Sequence, residues 1–172
     1  MRISKKSLVA VIALVAAASA LVFALAANAD HGRRGGDDDH GVRGKLFVTR
    51  LVGSVLADPA IHGVTRGGVP WDLKRGNATL DRDGRFKLRL RRLVIAGTDN
   101  PGGVTSVSAS LFCAPDSSAA PAFTTGPVPL SSDGDARIKQ HVALPARCLA
   151  PVVLVHPNGL ATRYIAASGF TS

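Results

Sequence analysis

The sequence predicts an all-β protein, a single antiparallel β-sandwich of immunoglobulin-like or similar type with seven to nine short strands. Three observations predict it. All twelve acidic residues are Asp and none is Glu, while Gly, Pro, Ser, Thr and Val are plentiful, a composition of turns and strands. Short apolar runs with period-two alternation recur at close intervals with turn residues between them. No 3.6-residue apolar pattern is long enough for a core helix, and no internal repeat is present.

Taken in order, Leu46 to Val52 is the first predicted strand. Pro70 to Leu73 and Ala78 to Leu80 are short candidates, and Asp81-Arg82-Asp83-Gly84 is a turn leading into the long run Arg85 to Ile95. Val104 to Cys113 places Val107, Ala109, Leu111 and Cys113 on one face and Ser106, Ser108 and Ser110 on the other, the pattern of a half-buried strand. After the turn Ser132-Asp133-Gly134-Asp135, Ala136, Ile138, Val142 and Leu144 oppose Arg137, Lys139 and His141. Pro151 to Val155 reads as a buried strand ended by His156-Pro157-Asn158-Gly159, and Thr162 to Ala167 supplies the last. The Pro-rich stretch from Pro115 to Pro129 is read as a connection between strands.

The domain predicted over residues 45–172 is preceded by two segments of different character. Arg2, Lys5 and Lys6 form a positive n-region, Leu8 to Ala27 is almost unbroken apolar sequence, and Ala27-Asn28-Ala29 is a small-x-small cleavage site. Residues 1–29 are therefore expected to be a signal peptide, the protein to be secreted, and the same stretch to act as an N-terminal signal anchor if it is not cleaved. Once it is removed, no transmembrane segment is expected. Residues 30–44, rich in Gly, Asp, Arg and His, have scarcely any apolar anchor and are expected to be a disordered linker. His31, Asp37, Asp38, Asp39 and His40 carry competent metal ligands there, but without fixed spacing, so no metal site is assigned.

The leader takes three basic residues and no acid, so 18 basic against 12 acidic residues remain and the rest of the chain carries +6. Its two cysteines, Cys113 and Cys148, are expected to be bridged in an exported protein. Such a bridge is a staple, since neither lies in a Cys-x-x-Cys motif.

The stretches Val104 to Cys113, Val128 to Val155 and Tyr164 to Gly169 resemble small secreted proteins of actinobacteria, and the resemblance spans most of residues 66–169. It implies export, one disulfide and a bacterial envelope setting. It transfers no activity and no site residue.

One segment has functional shape. On a strand, Arg85, Lys87, Arg89 and Arg91 point one way at intervals of about 7 Å while Phe86, Leu88 and Leu90 point the other. Residues 82–92 hold six basic groups and one acid, which is most of the charge left after the leader. Such a row suits a polymer with regularly spaced anions: phosphate chains, anionic polysaccharide or lipid headgroups. Nucleic acid is the least favoured partner, because no aromatic stacking platform accompanies the row. The competing reading is a solvated strand face whose basic stems cover apolar neighbours, with cross-strand Asp or Ser beside them.

Other features read as structural. Trp71 and Tyr164 are expected to anchor the core or its edge. Asp81 and Asp83 lack the remaining ligands of a calcium loop and belong to a turn. No Gly-x-Ser-x-Gly, His-Glu-x-x-His or unpaired cysteine nucleophile is present, and a triad of Ser168 with His62, His141 or His156 has no motif behind it. The sequence therefore predicts a non-enzymatic, cofactor-free binding protein that contacts an anionic envelope polymer. The alternatives are a structural or protein-interaction module working through an exposed sheet edge and, third, a hydrolase.

Overall fold

The computed structural model describes residues 44–115 and 120–171. The expected leader, and the expected linker up to residue 43, lie outside the described residues. Eleven strands are present among the described residues: β1 (Lys45–Gly53), β2 (Thr65–Arg66), β3 (Trp71–Asp81), β4 (Arg85–Ile95), β5 (Ser106–Phe112), β6 (Phe123–Thr124), β7 (Val128–Pro129), β8 (Ala136–His141), β9 (Val152–Pro157), β10 (Arg163–Tyr164) and β11 (Ala166–Ser168). None of these residues is helical, so the all-β class stands.

The main sheet runs β6-β5-β9-β11-β1-β3-β4-β8, with β7 also on β5, and every pairing in it is antiparallel. A small parallel pair, β10 with β2, stands apart. The expected two-sheet sandwich is not confirmed: one continuous sheet curls into a half-barrel. Strand twist accumulates along such a path, and the curl brings its two ends together. Phe123 on β6 and Phe86 on β4 meet edge to face with ring centroids 5.1 Å apart. Beyond β6, the Gly126 N–H donates to Gln140 Oε1 on the far-edge strand β8 at 3.2 Å. A single curled sheet thus encloses the core that a sandwich would place between two.

The core fills the concave face. Ala78 and Leu80 from β3, Phe86, Leu88 and Leu90 from β4, Ile138 from β8, Val107, Ala109 and Leu111 from β5, and Val153 and Val155 from β9 form one buried cluster. Trp71 and Leu51 belong to it as well. Each buried aliphatic or aromatic side chain contributes roughly 1.5–3 kcal/mol of transfer free energy, which is why the apolar alternation over residues 78–80, 86–90 and 107–111 suffices to orient them.

A second, smaller cluster lies on the opposite face of β5, β9 and β11, where Phe112, Leu154 and Ala167 pack with Val64 and Tyr164. Tyr164 donates its hydroxyl to the Pro59 carbonyl at 2.7 Å, pinning the Ser54–Arg66 segment over this face. Burial raises the Tyr164 pKa above the usual phenol value. The cover changes the reading of β5. Ser108 and Ser110 are buried, not solvent-facing, so that strand is enclosed on both sides.

Other departures have local causes. The two short candidates at 70–80 are one eleven-residue strand, β3, because β1 and β4 pair with it on both sides through Gly76, where the apolar pattern lapses and a Cβ would meet Leu51 and Leu73. The Pro-rich stretch supplies β6 and β7, whose partners on β5 satisfy the backbone that the prolines leave available. β9 continues through His156 and Pro157 before the turn at Asn158. The disulfide forms as expected between Cys113, at the end of β5, and Cys148, and the Leu149 N–H adds a bond to the Cys113 carbonyl.

Candidate polyanion-binding face

Alternation on β4 does what the sequence predicts through Arg91. Arg85, Lys87, Arg89 and Arg91 are exposed on the convex face while Phe86, Leu88 and Leu90 are buried beneath them. At Arg92 the alternation breaks, and Arg91 and Arg92 both face solvent before Leu93 turns inward. Arg92 holds φ at 55°, a conformation disfavoured for a residue with a Cβ. Across from it Gly134, at φ 76°, leaves room for Leu93: a Cβ there would sit 2.3 Å from the Leu93 carbonyl oxygen. Asp135 fastens this irregularity, accepting the Arg92 N–H at 2.9 Å on one oxygen and the Arg91 guanidinium at 2.7 Å on the other. These bonds, that from the Arg92 backbone first, hold the Asp135 carboxyl below the usual carboxylate range.

The register places the neighbours of the row. On the β3 side Thr79 lies opposite Lys87, Asn77 opposite Arg89 and Arg75 opposite Arg91. On the β8 side Lys139 lies opposite Lys87, Arg137 opposite Arg89 and His141 opposite Arg85. The cross-strand Asp or Ser that a merely solvated face would carry is absent from these pairs. Like charges stand directly across from each other instead, at Lys87–Lys139, Arg89–Arg137 and Arg91–Arg75, an arrangement that destabilises a sheet.

Among the described residues, every cation of β4 except Arg89 has an acid partner. Arg85 is bonded by Asp83, Lys87 by Asp81 at 3.1 Å, Arg91 by Asp135, and Arg92 by Asp99. The Arg85 guanidinium lowers the Asp83 carboxyl pKa, and Asp83 in turn raises that of Arg85. Among the described residues, no carboxylate comes within ion-pair distance of Arg89, Arg137 or Lys139. The centre of the face is therefore uncompensated. A groove of about 300 Å³ opens there, lined by Asn77, Thr79, Lys87, Arg89, Arg137 and Lys139. A second, of about 320 Å³, shares Arg89 and Arg137 and ends against Pro129 and Asp135.

All four predicted site residues thus share one face, but they are not equivalent. Arg85 sits at the rim and is tied to its own turn, whereas Arg89 is central. The sequence reading missed Arg137 and Lys139 as members of the site. Their outward orientation was legible from alternation with Ala136 and Ile138; their adjacency to β4 depends on a pairing across more than 40 residues of chain.

The remaining candidates separate. Trp71 and Tyr164 are buried in the two clusters. Ser168 accepts the Val153 N–H at 2.8 Å, and His62 stacks on Phe112 at 4.5 Å. A different pair does meet: His156 Nε2 lies 2.8 Å from Ser110 Oγ, and its Nδ1 lies 2.7 Å from the Arg163 carbonyl oxygen. A carbonyl only accepts, so Nδ1 carries the proton and Ser110 donates to Nε2; Thr124 Oγ1, 2.8 Å from Ser110 Oγ, completes the chain. The geometry is that of a nucleophile and its base, yet Ser110 is 1% exposed and His156 fully buried, and neither lines any of the described grooves. These bonds satisfy Ser110, His156 and the Arg163 carbonyl in the interior. Burial also lowers the His156 pKa, keeping the imidazole neutral.

Among the described residues, no group of three His, Cys or Asp side chains is placed to hold a metal ion, and no helix is long and apolar enough to cross a membrane. The linker histidines and aspartates lie outside those residues. No family model, curated protein or solved structure matches the chain.

Proposed function

We propose that this is a secreted, non-enzymatic binding protein of the bacterial envelope or extracellular space, contacting an anionic polymer through the convex face of β3, β4 and β8. The observation that carries the proposal is the stacking of like charges at Arg89–Arg137 and Lys87–Lys139, where among the described residues only Lys87 has an acid partner, Asp81. A face kept only for solubility gains nothing from opposing its cations, whereas a polyanion turns each opposed pair into a shared contact. The disulfide accords with an oxidising compartment. Co-sedimentation of the exported protein with isolated bacterial envelopes over a salt series tests it, beside a variant with Arg85, Lys87, Arg89 and Arg91 changed to Gln. Binding that weakens with salt and is lost in the variant supports the reading; no binding at low salt overturns it.

A second reading rests on β1. Its partner β11 covers only Leu51–Gly53, so the β1 edge from Lys45 to Thr49 lacks a strand beside it among the described residues, and Leu46 and Val48 are exposed there. Such an edge suits strand addition by a protein partner. Salt-insensitive self-association or complex formation would favour it.

A further inference from the structure

We infer that the centre of this face is a two-strand seat for phosphoryl groups, formed as much by β8 as by β4, and that it takes two successive groups of a linear phosphate polymer. The inference rests on the polyanion reading above and names the ligand chemistry and the residues that select it. One group sits between Arg89 and Arg137 with the Asn77 amide beside it, and the next between Lys87 and Lys139 with the Thr79 hydroxyl beside it. Two residues of strand separate these levels, about 7 Å.

Three features point to phosphoryl oxygen as the ligand. Arg89 and Arg137 come from adjacent strands, so their guanidinium forks reach a bound group from two sides. A tetrahedral phosphoryl group directs its oxygens out of any one plane and can meet forks arriving from two strands, whereas a carboxylate offers its acceptor sites in a single plane. Asn77 and Thr79 add neutral donors at both levels without adding an acid. Finally, Asp135 closes one end of the trough: it occupies Arg91 and repels a further anion, so the polymer is held over two levels and not along the whole of β4. Lys87 reaches the seat by exchanging its single pairing with Asp81 for the bound group.

The test uses the exported protein and three probes matched in charge number: inorganic polyphosphate, poly-L-glutamate and poly(dT). Arg137→Gln/Lys139→Gln alters β8 alone, and Arg163→Gln removes an exposed cation of β10, outside the face. Wild-type protein is expected to bind polyphosphate at least tenfold more tightly than poly-L-glutamate. Its logarithmic salt slope should be about −2, as for roughly three uncompensated cations. The β8 variant should lose tenfold or more and flatten that slope to about −0.7, while Arg163→Gln stays within twofold. Both variants change exposed side chains, and unchanged circular dichroism confirms that the loss is not unfolding. Poly(dT) should bind no more tightly than polyphosphate; tighter binding would mean that bases are read and would overturn a seat for phosphoryl groups alone. Equal binding of polyphosphate and poly-L-glutamate overturns the phosphoryl selectivity. Wild-type binding with an unaffected β8 variant overturns the seat while leaving a polyanion face elsewhere, and no wild-type binding to any probe overturns both readings.

Discussion

Arg137→Glu should make the protein more stable, which is unusual for the loss of an arginine. Arg137 stands directly across from Arg89 and one level from Lys87, with no carboxylate at ion-pair distance among the described residues. Two exposed unit charges roughly 6 Å apart in water repel by about 0.7 kcal/mol, and screening at physiological salt roughly halves this. Reversing one charge removes that repulsion and replaces it with a similar attraction. The gain is roughly 0.7 kcal/mol at physiological salt and about 1.4 kcal/mol at low salt, equivalent to a rise in Tm of a few degrees for a domain of this size. Thermal unfolding by circular dichroism at low, physiological and 1 M salt measures it. The increment should be largest at low salt and nearly vanish at 1 M, where the Debye length is about 3 Å. An unchanged or lower Tm at low salt would refute the claim that the centre of the face is held in mutual repulsion.

Three further outcomes follow from other parts of the structure. His156 is kept neutral by burial, so its folded pKa lies below its unfolded value; stability is complete above about pH 6.5 and falls as pH drops below that toward the folded value. Denaturant titrations should show that loss in wild type and not in His156→Gln, which is itself less stable by about 1–3 kcal/mol because the Arg163 carbonyl loses its donor. Reducing or removing Cys113–Cys148, a 35-residue separation, should lower stability by about 4 kcal/mol, read as a shift in urea midpoint. Gly134→Ala places a Cβ against Leu93 at positive φ and should lower Tm sharply, whereas Gly126→Ala, with open space around it, should lower it much less.

The parts of this fold that sequence discloses are those set by neighbours in the chain. β4 was legible because Arg85 to Arg91 alternates without interruption, and its buried face follows from Phe86, Leu88 and Leu90 having no other place to go. The break at Arg92 was not, because it depends on Gly134 and Asp135 of a distant turn holding an unfavourable φ. Ser108 and Ser110 read as a wet face because nothing local shows that Tyr164 and the Ser54–Arg66 segment lie over them. The same limit applies to the site. Charge and direction of Arg137 and Lys139 were readable, whereas their place beside Arg89 and Lys87 is a matter of register. Sandwich and half-barrel share the same alternating strands and differ only in which strands pair, a choice made by contacts such as Phe86 with Phe123.

The proposed binding of phosphate polymer rests on Arg89–Arg137 and Lys87–Lys139, where Arg89, Arg137 and Lys139 have no acid partner among the described residues. Its most direct test is the affinity of the exported protein for inorganic polyphosphate across a salt series, compared with Arg137→Gln/Lys139→Gln. Salt-dependent binding that the variant loses by tenfold or more, together with most of its salt slope, is the expected result; equal affinity and slope in the two proteins would contradict it.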